Sequence, residues 1–236
     1  MKRSLPARIA RWVAGLVVWS AAVSVALVLA FRWLPVPVTA FMLEERIALI
    51  GAKPALEQRH DWVPWPQISR NAALAVVAAE DQKFFVHRGF DFDQIGKAVS
   101  DAQRGRRLRG ASTITQQVAK NLFLWGGQNW FRKAIEAWFT VWIELLWPKE
   151  RILEVYLNSA QFGRGVWGVE AASRTYFGKG AALLSRAEAA ALAAVLPSPN
   201  YYRVVNPGPY VRRRQAWILG QMRQLEGTPG FRRGDP

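Results

Sequence analysis

Two adjacent carboxylates, Glu80 and Asp81, follow an apolar run, AALAVVAA at 72–79. On a helix they would sit at its C-terminal end, where the peptide dipoles already leave negative charge and a carboxylate is disfavoured. A glutamate held there at the rim of a core has its pKa pushed upward, toward the range of a general base. A solvated helix end is the bland alternative for Glu80. His87, seven residues on, can brace a cleft wall or be a satisfied, partly buried histidine.

A second element, RGASTITQQVAKN at 109–121, is dense in hydroxyl and amide groups yet runs into an apolar helix. Ser112, Thr113 and Thr115 can donate hydrogen bonds around a helix N-terminus, where anionic groups also bind. The same hydroxyls can serve only as caps. Gln116 and Lys120, four apart, share a helix face. Arg132, Lys133 and Glu136 lie within one turn of a third helix, and Arg132 can pair with Glu136 across i,i+4. An arginine fork suits phosphate oxygens and a lysine adds a mobile charge, so two cations with one carboxylate suit a pyrophosphate; an ordinary surface ion pair is the other reading. Glu144, among Trp142, Ile143, Leu145 and Leu146, reads as buried and structural. Tyr156 and Asn158 read as bracing residues rather than reacting ones.

The elements that must position these groups are helical. The pattern predicts helices over 69–85, with Ser69 as N-cap, and over 92–102, 112–122, 130–146, 148–157 and 210–225. Ser185 and Glu188 form a capping box for another helix, which Pro197 and Pro199 end. Gly163, Gly165 and Gly168 punctuate a reversal across which Phe162 and Trp167 can pack. Residues 41–49 can form a short helix. The segment 62–66, WVPWP, reads as extended, because proline disfavours helix in the residue before it. Its tryptophans can sit at a headgroup layer or pack on the domain. No βαβ alternation appears, so the fold expected is mainly α.

Residues 12–31, WVAGLVVWSAAVSVALVLAF, carry no charge. A helix of this length spans about 30 Å, the hydrocarbon thickness of a bilayer. Lys2, Arg3, Arg8 and Arg11 precede it, which puts the N-terminus in the cytoplasm and the remainder across the membrane. A cleaved signal peptide is the alternative, and it exports the domain too. The chain holds 32 Lys and Arg against 17 Asp and Glu, a formal +15, which attracts polyanions. Export removes nucleic acid as a partner and leaves anionic membrane lipids or a pyrophosphate substrate. There is no cysteine, hence no disulfide scaffold and no thiol nucleophile. His60 and His87 lack clustered ligand-type neighbours, so a structural zinc site is not expected. Neither GxGxxG nor a Walker loop occurs, which argues against a dinucleotide or ATP enzyme.

Taken together, EDQKFFVHRGFD (80–91), RGASTITQQVAKNLFL (109–124), RKAIE (132–136), KERILEVYLNSAQFGRGVWGVEAASRTYFGK (149–179) and the LPSPNYY region (196–202) resemble family 51 glycosyltransferases, in particular the monofunctional, biosynthetic branch. The stretches fall in that family's order and spacing, over roughly 60–205. The resemblance implies a lysozyme-like helical lobe with a smaller membrane-proximal jaw lobe, preceded by one transmembrane helix. It divides the chain into a basic cytoplasmic tail (1–11), a transmembrane helix (12–31), a juxtamembrane segment (32–59), a glycosyltransferase domain (60–225) and a flexible tail (226–236). It implies a hexosyltransferase of the bacterial inner membrane, with a periplasmic catalytic domain, that joins lipid II to a growing glycan chain.

By the same resemblance Glu80 is the catalytic base and Glu136 the second essential glutamate. Lys120, Arg132 and Lys133 lie near the pyrophosphates, and Ser112, Thr113, Gln116, Gln117 and Asn121 line the cleft. Glu136 either orients the two cations beside it or helps hold Mg2+ or Mn2+. Relatives often carry arginine where this chain has Gln128, and Arg106, Arg107 or Arg109 can compensate; Phe85 stands where many have tyrosine. Cell-wall synthesis or division proteins are possible partners, and a transpeptidase domain is not expected. Two rivals remain: a lysozyme-like glycan hydrolase, which the glutamates would suit, and a non-catalytic scaffold of a cell-wall complex.

Overall fold

The structure, a computed structural model, describes residues 5–48, 50, 57–105, 112–127, 129–228, 230 and 231. Helix α1 (Leu5–Ala30) contains the stretch Arg11–Ala30, of mean hydropathy 2.4, long and apolar enough to cross a membrane. Trp12, Leu16, Val17 and Trp19 are exposed, as suits a helix surrounded by lipid, and the chain is compatible with a single-pass membrane protein. The C-terminal part of α1 docks on α6 (Trp130–Leu146). There Trp138 Nε1 donates to Ser24 Oγ at 3.0 Å and Trp147 Nε1 to the Val28 carbonyl at 2.7 Å.

The short helix expected after the anchor is α2 (Ala40–Ala48). Two of its carboxylates knit it into the rest of the chain. Glu45 accepts from Gln58, Gln161, the Gly165 amide and Trp167 Nε1, and Glu44 accepts from the Gly126 amide. Residues 62–64 are extended and Trp65–Gln67 closes a 3-10 turn, so the expected extended segment is cut short after Pro64. Asn158, fully buried, ties this strap down by exchanging two hydrogen bonds with the Val63 backbone, at 2.9 and 2.8 Å. Trp62 and Trp65 pack against the core, with the Arg151 guanidinium 5.1 Å over the Trp62 ring.

The fold is mainly helical, as expected. Helix α3 (Arg70–Glu80) is capped by Ser69 and buried from Ala72 to Ala78. Its small residues let α9 (Arg186–Val195) and α10 (Pro209–Leu225) approach closely. Helix α4 (Phe92–Gln103) follows, then α5 (Ile114–Phe123), which packs on α6 and on α7 (Lys149–Ser159). Phe123 and Phe139 stack at 4.2 Å between α5 and α6.

The glycine-rich reversal is a β-hairpin, β2 (Gln161–Gly163) antiparallel to β3 (Val166–Trp167), with β1 (Arg59–His60) added parallel to β3. Phe162 and Trp167 are both buried there. Gly168 has φ +81°, and a Cβ on it would stand 2.9 Å from the Asn158 carbonyl oxygen, so only glycine fits. Helix α8 (Val169–Phe177) follows.

One expectation needs correction. Helix α3 stops at Glu80 rather than continuing to Phe85, because Asp81 is extended (φ −160°) and sends its carboxylate to α5 while Phe84 turns into the core. Past α10, some of the described residues make contacts with the helical body. Phe231 is buried edge-on against Phe85 at 5.2 Å, and Arg70 donates to its carbonyl.

Candidate active site

The end of α3 is set by three anchors. Asp81 accepts from the Ile114 amide at 3.0 Å, placing its negative charge at the N-terminus of α5 where the helix dipole favours it. The same carboxylate accepts from His87 Nε2 at 2.9 Å, so His87 braces the loop. Phe84 is fully buried under the Lys149 ammonium, which also donates to the His87 carbonyl at 2.9 Å. Asp81 and Asp91 border one hollow of the groove together with Glu80, but Asp81 is committed to α5 and His87, and of these carboxylates only Glu80 lines a second hollow as well.

Gly89 closes the loop. Its φ is +82°, and a Cβ would meet Thr140 and Glu144 of α6 at 2.8 and 2.9 Å. Glu144 is structural, as expected: it accepts from Thr115 Oγ1 at 2.5 Å and from Lys149 at 2.9 Å.

The groove is a series of linked hollows. One of about 360 Å3 is bounded by Glu80, Lys83, Gln94 and Ser112. A second, of about 870 Å3, lies across Glu80 and Ser112 and is bounded by Gln117, Lys120, Tyr210, Arg213 and Arg214. Gln117 and Lys120 are shared with a third, of about 230 Å3, which Phe41 and Asn121 also line. Glu80 therefore stands where the first two spaces meet.

Glu80 keeps 16% of its side-chain surface exposed. Burial pushes its pKa above the usual carboxylate range, and this outweighs the opposing effects of Gln117, Arg214 and Lys120. Gln117 Nε2 donates to Glu80 Oε2 at 3.2 Å, and the Arg214 guanidinium lies 3.5 Å from Oε1. A carboxylate raised in this way, yet held by donors that leave it in place when ionised, is suited to accept a proton.

Lys120 lies over the Phe41 ring at 5.4 Å. Burial lowers its pKa; Glu136 and Glu80 act against that, while Arg132 and Lys133 add to it. One lysine thus senses both Glu80 and the cluster on α6. Within that cluster Arg132 Nη1 donates to Glu136 Oε2 at 3.0 Å and Lys133 donates to Oε1. Glu136 is buried and Arg132 nearly so, while Lys133 is more open. Both oxygens of Glu136 are engaged by cations, and no group of three or more ligand-type side chains occurs among the described residues.

The hydroxyl- and amide-rich element divides its labour. Ser112, exposed, and Gln117, Lys120 and Asn121 face the groove. Thr113 and Gln116 form a reciprocal capping box, and Thr113 donates to the Gly89 carbonyl at 2.7 Å. Those two hold α5 against the Glu80 loop, and Thr113 also borders the first hollow. Arg106, Arg107, Arg109 and Gln128 lie outside the described residues.

Sequence reasoning missed the part played by α10. Tyr210, Arg213, Arg214 and Trp217 all line the second hollow, at i, i+3, i+4 and i+7. That spacing was the available signal, but the helix read only as basic. Tyr156 braces, as expected: fully buried, it donates to Gln117 Oε1 at 3.2 Å.

The family described as Transglycosylase matches residues 47–223, the span that carries these groove residues apart from Phe41. The chain belongs to the transglycosylase family. It is 53% identical over 228 residues to the biosynthetic peptidoglycan transglycosylase of Ectopseudomonas mendocina, covering 97% of this chain and 93% of that protein. The like-named proteins of Stutzerimonas stutzeri and Pseudomonas aeruginosa are 50% identical over 236 residues and 49% over 227. These cover 100% and 96% of this chain and 96% of each relative. For this transglycosylase family member, one groove accommodates a carboxylate whose pKa burial raises and a lysine coupled to a cationic cluster.

Proposed function

We propose that this chain is a peptidoglycan glycosyltransferase that polymerises lipid II into β-1,4-linked glycan on the periplasmic side of the bacterial inner membrane. The observation that carries the reading is Glu80, its pKa raised, facing Lys120 across the shared hollow. Glu80 takes the proton of the acceptor sugar's 4-hydroxyl as that oxygen attacks the donor's anomeric carbon. The bond to the α-linked pyrophosphate breaks, the undecaprenyl pyrophosphate leaves with the bonding pair, and the new linkage is β. A pyrophosphate leaves without needing a proton.

Lys120, Arg132 and Lys133 stabilise the charge that grows on the leaving group. Glu136 acts by orienting the two cations bound to it. The N-terminal helix keeps the groove beside the bilayer that holds both substrates and so raises their effective concentration. The basic surface adds attraction to anionic lipid.

The deciding experiment incubates full-length protein with purified lipid II, comparing wild type with Glu80→Gln, with and without divalent cation. Growth of long glycan by the wild type, lost in Glu80→Gln while the variant stays folded, supports the reading. Cleavage of preformed glycan without growth points instead to a hydrolase, and unimpaired turnover by Glu80→Gln removes that residue from the mechanism.

A further inference from the structure

The connection between α9 and α10 carries an aromatic cluster that the chemistry above does not use. Tyr202 and Tyr210 stack at 4.7 Å with 17° between their planes, and Tyr201 meets Tyr202 edge-on at 5.4 Å. Tyr201 is 79% exposed and Tyr210 42%. Together with Arg203 and Asn206 they line a hollow of about 350 Å3. Asn206 is the one non-glycine among the described residues with positive φ, at 52°, a conformation asparagine tolerates better than most. A contiguous exposed patch of rings with a polar rim is the kind of surface that binds a partner or ligand.

The hollow adjoins the groove of Glu80 and Lys120, since Tyr210 lines both. What emerges from a polymerising groove is a chain of pyranose rings. Such a ring has a flat C–H face, slightly positive, which suits the negative face of an aromatic ring, and a polar rim that suits a guanidinium and an amide. A lipid tail would gain nothing from Arg203 and Asn206.

We propose that the Tyr201–Tyr202–Tyr210 shelf is a glycan subsite that holds a sugar ring of the growing strand beyond the units at the reacting centre. The inference rests on the polymerase reading above. It makes strand retention between successive additions a property of this shelf.

The test uses full-length protein in detergent and, as probe, a lipid-free tetrasaccharide of alternating N-acetylglucosamine and N-acetylmuramic acid. Binding is followed by saturation-transfer NMR and titration calorimetry, with Tyr201→Ala and Tyr201→Phe beside the wild type. Tyr201→Ala is expected to weaken binding about fivefold and to shorten the strands made from lipid II, whereas Tyr201→Phe, which keeps the ring face, restores both. Equal binding by Tyr201→Ala, failure of Tyr201→Phe to restore it, or no binding by the wild type overturns the proposal. A wild type that polymerises lipid II but ignores the tetrasaccharide refutes the shelf alone; one that binds it but never polymerises refutes the polymerase reading.

Discussion

Gln117 donates its side-chain amide to Glu80 across 3.2 Å, and that amide is itself fixed by the buried hydroxyl of Tyr156. Hydrogen bonds to a charged group contribute about 1.5–3 kcal/mol, and this one favours the ionised carboxylate. Removing it in Gln117→Leu leaves burial less opposed, so the Glu80 pKa rises further. The acid limb of kcat/KM against pH is then expected to move to higher pH. Tyr156→Phe should move it the same way by a smaller step. An acid limb that stays in place in both variants would separate Gln117 from the base.

Glu80 also ties the proposed chemistry to stability. Burial holds its folded-state pKa above the unfolded one, so the folded chain keeps this proton more tightly. Stability from the group is complete below the unfolded pKa and falls as pH rises through the folded value. Glu80→Gln abolishes that fall. The variant is expected to melt at a higher Tm than wild type at pH 8 and at an equal one near pH 4, while glycan synthesis drops by about 10²- to 10⁴-fold. Thermal melts at the two pH values, beside a lipid II assay, check both outcomes.

That trade was partly legible in the sequence. An apolar run ending in two carboxylates broke the helix-dipole rule, and the anomaly marked the groove. Why two carboxylates were needed could not be read there. Asp81 satisfies the N-terminus of α5, whose Ile114 is 33 residues away in the chain. The early stop of α3 has the same origin, since local propensity favours helix through Phe85 while the long-range bond to Ile114 and the burial of Phe84 break it. The capping box at Ser185 was local and read directly, whereas the one at Thr113, which starts α5 two residues later than expected, was not picked out among the neighbouring hydroxyls. Arg214 reaches Glu80 across 134 residues and could be found only once the chain was folded.

Lys120 titrates below an ordinary lysine because of its burial. If its charge is required, kcat/KM should fall on the alkaline side at a pH below that expected of a free lysine, giving a bell with the Glu80 limb. Lys120→Arg keeps the charge to far higher pH. The variant is expected to lose its alkaline limb while its plateau is lowered by altered geometry. Lys120→Met should lose about 10²- to 10³-fold, the usual cost of removing one donor to developing negative charge. An unchanged alkaline limb in Lys120→Arg would assign that limb to another group.

Glu136 gives the sharpest separation of fold from function. Its pairing with Arg132 is almost wholly buried, at 3% and 9% side-chain exposure. Glu136→Ala leaves the guanidinium buried without its counter-charge, and breaking such a pair costs about 3–5 kcal/mol. Replacing both partners by apolar residues of similar volume removes the stranded charge, so Arg132→Met with Glu136→Met should recover most of the lost stability in urea melts. It should not recover polymerisation, because the cation is gone and Lys133 has lost the carboxylate that positions it. The single variant therefore fails in both assays and the double variant in one. A double variant that melts like wild type and also makes glycan at the wild-type rate would leave the cluster a purely structural role.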